Sequence, residues 1–141
     1  MTLTSRIFLA LNALLTVWTS SHYVFDPAIA FAQHGGTLTN PVATTEIRVA
    51  FGAMGVAAGL YLGWGAIFKS GIIESLRFLV FMLGCVWPVG LLGTLHDSGT
   101  LSHYRLPVTV DGVILLLAAI LLWINVRRRP IEPARGASPP P

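Results

Sequence analysis

Hydrophobic positions in this chain fall into four long runs, Ile7–Phe25, Ile47–Phe68, Phe78–Leu95 and Val108–Val126, parted by shorter, more polar stretches. Each run holds at least 18 residues, enough at about 1.5 Å per residue to cross roughly 30 Å of hydrocarbon. The runs lack the polar stripe of an amphipathic helix, and Val113–Ile124 has no polar position at all. A soluble bundle needs a polar outer face on every helix. The pattern therefore predicts an all-α, four-span transmembrane helical bundle over residues 1–129, with spans at about 6–25, 43–68, 74–95 and 107–126. Nothing outside the spans is large enough to form a catalytic domain, so any chemistry has to lie within or at the rim of the bundle.

Punctuation at the span ends agrees with this reading. Asn40-Pro41 has the form of an N-cap followed by proline at the first helical position, so the second helix should begin ahead of its apolar core. Leu106-Pro107 is expected to open the fourth helix in the same way, and Asp26-Pro27 to end the first. The stretch Pro27–Gln33 carries Ile29, Phe31 and three alanines and reads as a short helix in the membrane interface. Pro88, inside the third run, should leave one carbonyl unpaired and kink that helix. The tail 130–141, with five prolines, is expected to be disordered and cytoplasmic. Arg6, the first run and Ala30-Phe31-Ala32 also outline a cleavable signal peptide. The apolar core fades near Val17, however, about a dozen residues before that site, and a cleavage region is normally shorter. The first run is read as a retained span.

Composition strengthens the membrane assignment. Hydrophobic residues make up 54% and charged residues 11%, against about 25% charged in an average soluble domain, and mean hydropathy is +0.71. Arg6, Lys69, Arg77, Arg127, Arg128, Arg129 and Arg135 all fall at one side of the spans, whereas only Arg48 and Arg105 fall at the other. By the positive-inside rule both termini are cytoplasmic, with segments 26–46 and 96–106 outside. A pI near 9.6 built from span-end residues speaks of orientation and lipid contact and of no nucleic acid. The lone Cys85 lies mid-span and permits no intrachain disulfide.

Small residues mark the second span as a packing centre. Gly52, Gly55, Gly59 and Gly63 recur along one stripe, which lets a neighbouring backbone approach closely where lipid offers little hydrophobic drive. Packing within the chain and dimerisation both fit the stripe. Gly65 lies off it, so leucine at 65 is expected to disturb the bundle less than leucine at 59.

Polar residues inside spans are where function is sought. Glu46, Arg48 and Asp111 stand out, because Arg48 and Asp111 sit at similar depths on two helices counted from Pro41 and Pro107. The expectation is a buried Arg48–Asp111 pair with Glu46 close by. It would act as an interhelical clamp or as a ligand or proton site, unless Arg48 snorkels to the headgroups. His96 and Asp97 join this candidate cluster at the outer rim. His22, His34, His96 and His103 gather on the outer side, but none share HxH or HxxxH spacing. No metal and no cofactor is therefore expected, and no catalytic residue or enzyme class is indicated.

The segment Thr45-Glu46-Ile47-Arg48-Val49-Ala50-Phe51-Gly52, followed by Gly59-Leu60-Tyr61, resembles the E-x-R-x-x-Y/F-G … A-x-G-L signature of a bacterial four-helix membrane family, domain of unknown function 4345, a DoxX-like relative. The resemblance runs from Pro27 through Leu95-His96-Asp97-Ser98-Gly99 to Asp111. Members often carry an arginine late in the third span, where this chain has Gly90. The resemblance implies a four-span fold and a bacterial inner-membrane location, without a mechanism. The function expected is that of an accessory or structural membrane protein holding a small lipophilic molecule between helices. A quinone-linked, DoxX-like redox or transport subunit is the alternative. The partners this admits are the lipid bilayer and a homo-oligomer or larger membrane complex.

Overall fold

The computed structural model describes residues 3–96 and 101–127, with side chains described for 3–93 and 106–127. Six α-helices follow one another: α1 (Leu3–Phe25), α2 (Pro27–Ala32), α3 (Pro41–Ile47), α4 (Met54–Ile67), α5 (Ile72–His96) and α6 (Leu101–Arg127). A π-helical segment, Arg48–Ala53, joins α3 to α4 into one span, Pro41–Ile67. Four helices are long and apolar enough to cross a membrane: Leu3–Phe25, Pro41–Ile67, Lys69–Gly93 and Leu106–Arg127. The tail 130–141 lies outside the described residues, as do Asp97 and the side chains of His96, His103 and Arg105.

Local chemistry explains most of the boundaries. Asn40 is an extended N-cap whose side-chain oxygen accepts the Ala43 amide at 2.7 Å, with Pro41 at the first helical position. Asp26 caps α2 in the same manner, accepting from the Ile29 amide at 3.3 Å ahead of Pro27. Gly35, with φ of +78°, turns the chain from α2 toward α3 through the left-handed region. At the other end Phe68 leaves helical geometry and the turn Lys69–Gly71 reverses the chain into α5. Proline is less decisive than expected. The fourth long helix, α6, begins at Leu101, six residues ahead of Pro107, which lies inside it. Pro88 likewise sits within an α5 that continues to His96.

The long helices run alternately up and down, so Leu3, Ile67, Ile72 and Arg127 share one end, called here the termini end. The opposite end, with α2 and the start of α3, is the hairpin end. α1 packs chiefly on α4 and the π segment, and α5 chiefly on α6. The two pairs meet through α4 with α5 and, more lightly, α1 with α5. Their shared core is Leu9 and Ala13 of α1, Leu62 and Ala66 of α4, Ile72, Leu76, Leu79 and Leu83 of α5, and Ala118 of α6. All of these lie toward the termini end. The π segment packs on α1, α3 and α4 and has no more than marginal contact with α5 or α6. The shared apolar core thus closes the bundle at the termini end.

The glycine stripe of the second span is the α1–α4 seam. A Cβ at Gly52 would press on Val24 and on backbone atoms of Tyr23 and Val24 at 2.8–3.1 Å. One at Gly55 would strike the Ser20 hydroxyl, and one at Gly59 would lie 2.6 Å from Val17 and 3.1 Å from the Ala13 carbonyl. Gly63 is looser, 3.8 Å from Ala13. Gly65 departs from expectation: a Cβ there would strike Ser75 and come within 3.0 Å of the Gly71 carbonyl. It lies off the stripe because it serves a second seam, α4 against α5.

Candidate functional site

Glu46, Arg48 and Asp111 do not form a cluster. Arg48 Nε donates to the Val24 carbonyl at 2.9 Å, at the C-terminal end of α1. Among the described residues the one ion pair is Glu74–Arg77, on the surface of α5 at the termini end. The reason is the pairing of helices. Arg48 sits where the second span meets α1, and the unsatisfied carbonyls and negative dipole end of α1 attract it first. Asp111 is carried by α6, which packs on α5 on the other side of the molecule. Glu46 and Arg48, two residues apart on one helix, point to different sides and do not pair. Glu46 is exposed, without a hydrogen-bond or ion-pair partner among the described residues.

The segment that carries the family resemblance thereby acquires a structural role. Arg48 caps α1, Phe51 packs its ring 5.6 Å from that of Tyr23, and Gly52 lets the α1 backbone approach. Three of its residues dock one helix onto α1. They build a seam, with the π segment supplying the wider turn.

Arg48 has a counterpart that sequence reasoning used only as a topology charge. Arg6, near the start of α1, donates from Nε to the Ala66 carbonyl at 2.8 Å and from Nη2 to the Ile67 carbonyl at 3.0 Å. Each of the first two spans thus lends an arginine to the C-terminal carbonyls of the other. A second polar set lies beside Arg6. Asn125 of α6, 2% exposed, donates from Nδ2 to the Ser5 hydroxyl at 2.8 Å and to the Leu121 carbonyl at 2.7 Å. Its Oδ1 is buried with no hydrogen-bond partner among the described residues. Ser75, also buried, donates to the Tyr61 carbonyl at 3.0 Å. The signal that finds these residues is their polarity within otherwise apolar runs, Asn125 above all.

Asp111 stands alone. It lies two turns from Ala118 and four from Asn125, so at heptad spacing it shares their inward face. Ala118 and Asn125 are buried, Asp111 only partly, and no hydrogen bond or ion pair reaches its carboxyl among the described residues.

Apolar grooves run along the α1–α4 seam, and a smaller pocket lies at the hairpin end of α1. A groove of about 520 Å³ runs between α1 and the second span, lined by Val17, Ser21, Val24, Ala53, Ala57 and Leu60 among others. It shares Val17 and Leu60 with a groove of about 470 Å³ that continues past Gly59 and Gly63 to Trp64 and Phe68. At the hairpin end Thr19, His22, Tyr23, Ala30, Gln33 and His34 enclose about 180 Å³. There His34 Nδ1 lies 3.0 Å from the Ala30 carbonyl and 3.1 Å from the Tyr23 hydroxyl. His34 Nδ1 thus stands within hydrogen-bond distance of both α2 and α1. His22 instead stands edge-on to Trp18 at 5.2 Å.

Comparison of the chain with protein-family models, with curated proteins and with solved structures finds no match in any of the three.

Proposed function

We propose that this chain is an accessory protein of the bacterial inner membrane, with both termini cytoplasmic, which holds a small lipophilic molecule between its helices. The observation that carries this reading is the apolar groove along the α1–α4 seam, which extends from Phe25 and Ala53 to Phe68. Its lining is almost wholly apolar, with Val17, Val24, Leu60 and Phe68 beside small residues such as Ala57 and Gly63, so an acyl or isoprenoid chain gains close dispersion contact there. Orientation rests on the seven basic residues at the termini side against two at the other. Kinship with the DoxX-like group belongs to the same proposal and rests on the Glu46–Gly52 segment.

A holding role also accords better with the interior than conduction does. Between Asp111 and the Ser5–Asn125 pair lies the apolar block of Leu9, Leu62, Leu76, Leu79, Leu83 and Ala118. A polar path across the bundle would have to open it.

Native mass spectrometry of the gently extracted protein tests the proposal. A stoichiometric lipophile is expected on the unaltered chain, and its loss is expected on Ala57→Trp, which fills the groove. Retention of the same lipophile by Ala57→Trp, or only the bulk lipid mixture on both, would overturn the reading. A periplasm-dependent reporter should be active near Thr37 and silent after Arg129.

A further inference from the structure

We propose that the molecule held in the α1–α4 groove is a polyprenyl phosphate, with its isoprenoid tail along the seam and its phosphate on the guanidinium of Arg48. This rests on the function proposed above and names the chemical class of the lipophile. Every residue lining the groove belongs to α1 or to the stretch Ala53–Phe68, so it is built without α5, α6 or the connection between them.

Three observations bring Arg48 to the hairpin end of that groove. Its Nε donates to the carbonyl of Val24, a residue of the groove wall. The π segment does the second part. Residues five apart in an α-helix stand about 140° apart around the axis, which would turn Arg48 away from the side where Ala53 lines the groove. Arg48–Ala53 is instead π-helical, with bonds from residue i to i+5, and this sets the two as neighbours on successive turns. The third observation is exposure: the Arg48 side chain is open to its surroundings, and the bond through Nε leaves the edge formed by Nη1 and Nη2 for another acceptor. A phosphate fits that planar edge with two parallel charge-assisted bonds.

Length selects the tail. From Ala53 to Ile67 the two joined grooves follow the second span for about 21 Å at about 1.5 Å per residue. One leaflet offers only about half of the roughly 30 Å of hydrocarbon. The acyl chains of a phospholipid anchored at the hairpin end stop near the midplane, short of Trp64 and Phe68. A polyprenyl chain runs on past the midplane and covers the whole groove.

The test is a native mass spectrometry titration of the full chain in nanodiscs of zwitterionic phosphatidylcholine. The probes are undecaprenyl phosphate, its neutral alcohol undecaprenol, and dioleoylphosphatidic acid, which pairs a phosphate with leaflet-length chains. One undecaprenyl phosphate per chain is expected, bound roughly tenfold or more tighter than either other probe. Arg48→Gln should lower the phosphate to the level of the alcohol and leave the alcohol unchanged. Lys69→Gln, a cation at the opposite end, should bind as the unaltered chain does. Thermal unfolding of each variant reports whether it is folded. Equal binding of phosphate and alcohol by the unaltered chain overturns the inference while the groove keeps its lipophile. Phosphatidic acid bound as tightly as the polyprenyl phosphate, or no binding of any probe, overturns it too. So does a folded Arg48→Gln that binds like wild type, or an equal loss in Lys69→Gln. Undiminished binding of phosphate and alcohol by Ala57→Trp removes the groove itself, and with it both this inference and the function it rests on.

Discussion

The two ends of this bundle are built on opposite terms. At the termini end every long helix is tied to another by a polar contact. Arg6 reaches the last carbonyls of α4, Ser75 reaches Tyr61, and Asn125 reaches Ser5 across α1 and α6. Apolar side chains fill the space between. At the hairpin end the ties among the described side chains that can be named lie within each pair. Arg48 and Phe51 hold the second span to α1, and Trp87 Nε1 donates to the Val108 carbonyl at 2.9 Å to hold α5 to α6. In lipid, where burying a leucine gains little, such contacts and close backbone approach decide where helices stay together. The termini end is clamped across the two pairs by its polar contacts.

The largest effects should come from forcing the seams apart. Gly59→Leu and Gly65→Leu are both expected to disrupt the fold, each by about 3 kcal/mol or more, because the new side chain meets backbone or a buried serine. Gly84→Leu, with nothing within 4 Å of its Cβ position, should be tolerated. Thermal unfolding in detergent ranks the three. A Gly65→Leu variant as stable as wild type would remove the α4–α5 seam from the clamp.

The arginine caps come next and test the asymmetry within one pair. Arg6→Gln should cost about 2 kcal/mol, since it removes two charge-assisted bonds to orphan carbonyls. Arg48→Gln should cost under about 1 kcal/mol, because its single bond is exposed. Equal losses would mean that the ends are fastened alike.

A double-mutant cycle on Ser5→Ala and Asn125→Ala should give a coupling of about 0.6–1.7 kcal/mol, the range of interhelical hydrogen bonds in bilayers. No coupling would leave α6 tied only through α5. The smallest expected effect is at the hairpin end. Asp111→Asn should leave the unfolding temperature almost unchanged, and its effect should add to that of Arg48→Gln, because the two groups do not touch. Coupling between them would place the two groups in contact.

Much of the architecture was legible before any coordinates. Length and hydropathy alone predict four spans, and the short connections make neighbours antiparallel. Asn40-Pro41 announced its helix correctly because an N-cap is a contact over three residues. Pro107 misled because a proline's missing amide limits only the helix turn before it, and α6 begins six residues earlier. The glycine stripe was legible as a seam, though not the partner it would meet.

What no sequence pattern could decide was which polar groups find each other. Matched depth made Arg48 and Asp111 look like partners, yet depth is one coordinate of three. The remaining two depend on which helices pack side by side and on how each is rotated. Once the second span lay on α1, the carbonyls of Val24 were within reach of Arg48 and Asp111 was not. The same packing brought Ser5 to Asn125 across 120 residues of chain. Apolar content and span length are properties of the chain by itself, because the bilayer acts on each helix separately. Hydrogen-bond partners are properties of the assembled helices, because such a bond needs its two groups within about 3 Å, and only tertiary packing sets that distance.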